Sequence, residues 1–143
     1  MKDADFLADL KSRLRAESGC DAIRHEAWVI ATFGPAGLFK MLLDSGTFMG
    51  PHKRRLNPPA ERRCHEAAQQ LGSRGVGDWW LGLALGNVDR EWCWFVHSWL
   101  TERGTSAEPL ELTTSTPRMY FGSSVGQLWP ALQAALMQDP PPE

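Results

Sequence analysis

The amino-acid sequence predicts an α+β protein in which an antiparallel sheet of about four strands is flanked by N-terminal, central and C-terminal helices. Two kinds of pattern indicate this class. Apolar residues recur at helical spacing near both ends of the chain, and between them consecutive segments alternate as β-strands do. Because short turns join these strands, we expect them to form an antiparallel meander.

Three elements are predicted in the first part of the chain. Residues 3–17 have the apolar stripe and the polar face of an amphipathic helix. Residues 27–33 are a short β-prone run that ends at a Gly-Pro pair, and residues 36–44 have the spacing of a second, shorter helix.

The middle of the chain is predicted to be a loop followed by the central helix. Residues 45–59 contain several glycines and prolines, and a loop of this length in a small domain is often functional. The helix is expected over about 60–71, because proline is tolerated in a first turn. A later start, near Arg62, is the alternative.

The β-strands are predicted in the second half. Residues 78–85 and 91–101 alternate between two faces, and a third strand is expected over 108–114. Residues 119–122 are expected to form a short strand or a lid, and residues 125–136 have a final helical stripe. The core is expected around Trp79, Leu81, Trp92, Trp94 and Val96.

Length and composition indicate a single globular domain over residues 1–138 and a disordered tail over 139–143. The chain has 143 residues, of which 43% are hydrophobic and 22% are charged. The net charge of -2 argues against nucleic acid as the main partner, despite a basic run at 52–55. No apolar stretch is long enough for a transmembrane helix, so no membrane partner is expected. The sequence makes no prediction of the oligomeric state.

The cysteine usage predicts a cytoplasmic protein without metal or cofactor. The three cysteines are an odd number, and the acidic N-terminal segment does not have the pattern of a secretory signal. A reducing compartment is therefore expected. Cys93 and His97 would lie about 13 Å apart on a strand, which is too far to share a zinc ion.

Three residues between positions 64 and 108 have the chemistry of a catalytic triad. Cys64 lies near the start of the central helix, His97 lies in the second long strand, and Glu108 begins the next one. A thiol nucleophile needs a base, and the base needs a third group that orients it. Paired residues of neighbouring antiparallel strands are about 4.5–5.5 Å apart, so an acid on the third strand can reach the imidazole.

The order of these motifs resembles a group of small bacterial and phage proteins. Their pattern is a Cys-x-x-Ala helix, a strand with an aromatic residue and a glycine, a His-Ala-Trp strand, an acid-Pro-Thr strand and a Tyr-Phe-Gly segment. That pattern in turn resembles the Cys-His-Asp core of transglutaminase-like and papain-like enzymes. The resemblance covers roughly residues 60–125. It is carried by Cys64-His65-Glu66-Ala67-Ala68, DWWLGLAL, Val96-His97-Ser98-Trp99-Leu100, Glu108-Pro109 and Tyr120-Phe121-Gly122.

The resemblance implies a papain/transglutaminase-like core with assigned roles. Cys64 would be the nucleophile, His97 the general base and later the acid, and Glu108 the group that orients the imidazole. Glu108 is favoured by the proline that follows it. Glu111 is the alternative acid, because Glu111-Leu112-Thr113 offers a second alignment with the acid-Pro-Thr strand. The acid is Glu where the pattern has Asp, and His65 departs from the pattern.

Five further residues are candidates to support this site. Two are basic residues just before the cysteine, which together with the helix N-terminus would favour a thiolate. Two lie in the preceding loop and are candidate oxyanion donors by position, beside the Cys64 backbone N–H. The last is the tyrosine of the Tyr-Phe-Gly segment. In this order they are Arg62, Arg63, His52, Asn57 and Tyr120.

These residues predict a small cysteine-dependent hydrolase or acyltransferase that acts on an amide or ester through a Cys-His-Glu triad. A peptide or a protein is the expected substrate. The alternative is a non-catalytic protein-interaction module on the same scaffold, such as a phage accessory or toxin-neutralising protein. The chain has seven tryptophans, and an indole left on the surface would suit binding of a partner.

Overall fold

The structure is a computed structural model that describes residues 3–34, 37–52, 54–56, 64–103, 108–113 and 115–125. These residues form four helices and six strands. The helices are α1 (Asp3–Ser18), α2 (Glu26–Phe33), α3 (Leu38–Ser45) and α4 (Cys64–Ser73). The strands are β1 (Thr47–Met49), β2 (Arg54–Arg55), β3 (Asp78–Val88), β4 (Glu91–Thr101), β5 (Pro109–Glu111) and β6 (Met119–Ser124).

The sheet is larger than predicted and is not purely antiparallel. Its strand order is β1-β6-β3-β4-β5-β2, β2 runs parallel to β5, and the sheet curls into a half-barrel. The prediction of an antiparallel sheet of four strands is therefore wrong, although the mixture of helices and strands agrees. The missed strands, β1 and β2, have three and two residues, which is too short for an alternating pattern to appear.

Two other predictions need correction. The β-prone run at 27–33 lies in helix α2, because tertiary packing of Val29 against the core outweighs the weak local preference. Trp92, predicted in the core, is 44% exposed near the turn between β3 and β4, and the Arg118 guanidinium lies 4.8 Å from its ring centre. The predicted C-terminal helix and tail, after Val125, lie outside the described residues.

The hairpin of β3 and β4 forms the centre of the sheet. Its turn, Asp89 and Arg90, has positive φ at both residues (52° and 70°), as in the tight turns that suit the twist of a hairpin. β4 has its predicted bounds, and β3 begins at its predicted residue but ends at Val88, three residues later than predicted. None of the helices in the described part of the chain has the length and apolarity that a membrane crossing requires.

The helices cover one face of the sheet. The side chains of α1, α2 and α3 pack on the odd-numbered residues of β3, and α4 packs its Ala68 against Leu100 of β4. The opposite face bears a second apolar cluster. The first cluster includes Leu10, Leu14, Val29, Phe39, Leu42, Leu81, Leu83, Trp94 and Phe121, and the second includes Met49, Trp80, Ala84, Trp99 and Tyr120.

Two glycines lie at the contact between β3 and β6 on this second face. Gly82 pairs with Gly122 of β6 on one side and with His97 of β4 on the other. A Cβ atom on Gly82 would lie 2.1 Å from the carbonyl oxygen of Phe121, so only glycine allows the observed spacing. The β3 position beside His97 therefore carries no side chain.

Replacing Gly82 by alanine is expected to destabilise the fold, because the added methyl group meets backbone atoms that can move only with the whole strand. Overpacking of this kind costs about 1–3 kcal/mol. Urea unfolding measures the effect. Gly50→Ala is the matched control, because a Cβ there meets no atom within 4 Å. Equal unfolding midpoints for the two variants would contradict this view of the β3–β6 contact.

Candidate active site

The first turn of α4 lies beside the middle of β4. Cys64, its first residue, interacts with His97, and His65 places Nδ1 2.5 Å from the Ser98 hydroxyl oxygen. His97 and Ser98 are consecutive strand residues, so their side chains leave opposite faces. The start of α4 reaches both because the ladder between β4 and β5 ends at Leu100.

His97 is a buried imidazole between a thiol and a carboxylate. Only 3% of its surface is exposed, and Nε2 lies 2.9 Å and 3.0 Å from the two carboxylate oxygens of Glu111. Nδ1 is then the ring nitrogen that remains for the Cys64 sulfur. The structure thus joins sulfur, imidazole and carboxylate in one line of contacts.

The acid beside His97 is Glu111, and the favoured assignment of Glu108 is corrected accordingly. Leu100 pairs with Leu110, so even-numbered residues of β5 share a face with even-numbered residues of β4, and odd-numbered with odd-numbered. Glu111 therefore lies on the face of His97, diagonal to it. Glu108 comes before the first residue of β5, at an even position, and is exposed.

The Glu111 carboxylate is fully buried and accepts hydrogen bonds on both oxygens. Oε2 accepts from the backbone N–H groups of Leu112 (3.1 Å) and Thr113 (2.9 Å) and from the Thr113 hydroxyl (2.7 Å). Oε1 accepts from the Tyr120 hydroxyl at 2.6 Å. Burial alone would raise the pKa of Glu111, but the bonds from His97, Tyr120 and Thr113 lower it to about 2. The group is therefore a permanent anion near neutral pH.

Tyr120, a predicted supporting residue, reaches this carboxylate from another strand. Its hydroxyl donates to Glu111 and lies 3.3 Å from Nδ1 of His52, the loop residue considered as an oxyanion donor. Burial and the Glu111 charge raise the Tyr120 pKa, so the phenol keeps its proton and stays a donor. The Arg55 guanidinium donates a hydrogen bond to the Thr113 carbonyl oxygen and thereby helps to hold the segment after β5 in place.

Charges around the sulfur favour a thiolate paired with an imidazolium. Burial opposes ionisation of Cys64, but charges on His65 and His97 and hydrogen bonds from both lower its pKa well below the ordinary value. Burial would lower the pKa of His97, yet the Cys64 sulfur and Glu111 raise it to about 10. Cys93, by contrast, has a pKa raised by burial.

Three predicted supporting residues, Asn57, Arg62 and Arg63, lie outside the described residues. Sequence reasoning also missed His65 as a neighbour of the sulfur, because it treated this residue only as a departure from a pattern. The signal was its position, directly after the cysteine at a helix start. Within the described ranges, no group of three or more His, Cys, Asp and Glu side chains is arranged to hold a metal ion.

Comparison with protein-family models, with curated proteins and with solved structures gives no match. The resemblance to small bacterial and phage proteins therefore stays a prediction. Any function for this chain has to be argued from the geometry of its own residues.

The pairing of His97 with Glu111 predicts how stability depends on pH. The lowered pKa of Glu111 gives stability that is complete above its ordinary value of 4.5 and is lost as pH falls through about 2. The raised pKa of His97 gives stability that is complete below 6.5 and is lost as pH rises through about 10. Unfolding free energies of the protein should therefore be highest between these limits.

Glu111→Gln should destabilise the protein by about 3 kcal/mol near neutral pH, because it removes one partner of a buried charge pair. The loss should shrink towards pH 2, where the natural carboxylate also becomes protonated. Urea unfolding across this range measures it. Glu108→Gln is the control, since an exposed position should change stability by about 0.5 kcal/mol or less. The interpretation fails if both variants lose equal stability at every pH.

Proposed function

We propose that the protein is a small cysteine-dependent hydrolase or acyltransferase that acts on an amide or an ester. The observation that supports this most directly is the unbroken set of contacts from Cys64 through His97 to Glu111. Each group has the protonation state that its role needs, since the sulfur favours the thiolate and the imidazole favours the cation.

The proposed first step forms a thioester. The Cys64 thiolate attacks the carbonyl carbon of the substrate, and in this proposal the Cys64 backbone N–H, at the start of α4, stabilises the developing oxyanion. As the bond to the leaving group breaks, His97 gives its Nδ1 proton to the leaving amine or alcohol. Glu111 holds the other ring nitrogen and stays ionised throughout.

The second step regenerates the Cys64 thiolate. His97, now neutral, removes a proton from a water molecule or from an acceptor alcohol or amine, which attacks the thioester carbon. The carbon–sulfur bond breaks and the acid, ester or amide leaves. The electrons return to the sulfur, and the thiolate and imidazolium are restored. Water as the acceptor makes the reaction a hydrolysis, and another nucleophile makes it an acyl transfer.

We further propose a peptide or protein substrate and a bacterial or phage protein that works in the cytoplasm. Cys20, Cys64 and Cys93 are all unpaired, which fits a reducing compartment. The nucleophile needs no cofactor for the steps above, because the thiolate and the proton donor are both side chains of this chain.

A protein-interaction module is the second candidate function. The observation that favours it is the exposed indole of Trp92, with the Arg118 guanidinium stacked on its ring. Tryptophan and arginine are the side chains that most often contribute strongly to protein interfaces. In this reading the buried contacts of Cys64 would only stabilise the scaffold, so the two functions differ in the reactivity of the thiol.

Incubation with p-nitrophenyl acetate should acetylate Cys64 faster than Cys20 or Cys93, because p-nitrophenolate leaves without a proton and the rate follows the fraction of thiolate. Intact-mass and peptide mass spectrometry measure the site and the rate. His97→Ala should slow acetylation by about 100-fold, because loss of the neighbouring cation raises the pKa of Cys64 and removes most of the thiolate. Cys64→Ala should abolish the fast phase.

Glu108→Gln is the matched control for Glu111→Gln in this assay. We expect the rate to fall in the Glu111 variant and to stay close to that of the natural protein in the Glu108 variant. Equal, slow acetylation of all three cysteines, unchanged by His97→Ala, would contradict the proposed enzyme function and favour the interaction module.

A further inference from the structure

A second histidine contacts the sulfur of the candidate nucleophile. Nδ1 of His65 lies 3.9 Å from the Cys64 sulfur and 2.5 Å from the Ser98 hydroxyl oxygen. The same nitrogen therefore faces both atoms. His65 is half-buried, whereas His97 is enclosed, so the two imidazoles approach the sulfur from different surroundings.

We propose that His65 is a second imidazole partner of the Cys64 sulfur and that Ser98 holds its ring in place. The proposal deepens the proposed function, on which it rests, because it concerns how the nucleophile of that reaction is kept ionised. A hydrogen on Nδ1 meets two acceptors, the Ser98 oxygen and the sulfur, so the charged ring can serve both at once.

Ser98 is suited to this positioning role by its place in the sheet. It is fully buried in the central strand β4, and its backbone is fixed by the pairing with Leu81 of β3. A half-buried ring on the first turn of a helix would otherwise choose among several rotamers. The short contact to this buried hydroxyl holds the ring in the orientation that faces the sulfur.

The surrounding charges favour this role. The charge on His65 lowers the pKa of Cys64 more strongly than the charge on His97 does, against the opposing effect of burial. Other titratable groups reach the cluster from β5 and β6: Glu111 is bound to His97, and Tyr120 is bound to Glu111. Both carboxylate and phenol thus act on the His97 side, and among the described residues His65 is the other imidazole in contact with the sulfur.

The experiment follows thiolate formation at Cys64 by its ultraviolet absorbance as a function of pH. The protein carries Cys20→Ser and Cys93→Ser, so that one thiol remains. His65→Gln should raise the pH midpoint by about one unit or more, the size expected for loss of a nearby charge. His97→Gln should raise it as well, and the double variant should raise it further.

Ser98→Ala tests the positioning role, because it leaves both imidazoles in the chain. The midpoint should rise, but by less than in His65→Gln. His25→Asn is the control for loss of a histidine elsewhere, since asparagine tolerates the left-handed backbone of this residue (φ 54°). Urea unfolding of each variant shows that it is folded at the pH values used. Midpoints in His65→Gln and Ser98→Ala equal to that of the parent would overturn the proposal.

The acetylation assay separates this inference from the proposed function. Suppose that Cys64 is acetylated rapidly and His97→Gln stops the reaction, while His65→Gln leaves the pH midpoint unchanged. The proposed enzyme function is then supported and the proposed role of His65 is rejected. If His65→Gln shifts the pH midpoint but no acetyl-enzyme forms in the natural protein, the role of His65 is supported and the proposed enzyme function is rejected.

Discussion

The site depends on one constraint, which is that the buried carboxylate of Glu111 must be surrounded by hydrogen-bond donors from the protein. An ion in this position is stable only if donors surround it, and those of Glu111 come from β4, from β6 and from the chain after β5. In the strand order, β6 and β5 are separated by β3 and β4, which in a flat sheet would put them roughly 14 Å apart. The bond from Tyr120 to Glu111 therefore requires the curl of the sheet.

The same carboxylate contributes to the charges further along the site. The Cys64 sulfur and the ionised Glu111 together raise the pKa of His97, and the charges on His65 and His97 favour a negative sulfur at Cys64. Anion, cation and anion thus alternate from the interior of the sheet to the first turn of α4. The glycine on β3 beside His97 leaves this line free of a competing side chain.

Sequence patterns were sufficient where a segment is long and strongly alternating. The strands that became β3 and β4 could be predicted within a few residues, and with them the face on which His97 lies. Strands of two or three residues have too few positions for a period to show. The choice between Glu108 and Glu111 failed for another reason. It depends on the register of β5 against β4, and a shift of one residue reverses which face a side chain takes.

The order of the strands in the sheet has a consequence during translation. β6 lies between β1 and β3, so the sheet stays divided until residues 119–124 have left the ribosome. A nascent chain that already contains Cys64, His97 and Glu111 still lacks the phenol of Tyr120, so one of the donors to the buried Glu111 carboxylate is missing. The set of donors around this carboxylate is therefore completed only when the last strand of the described fold has been synthesised.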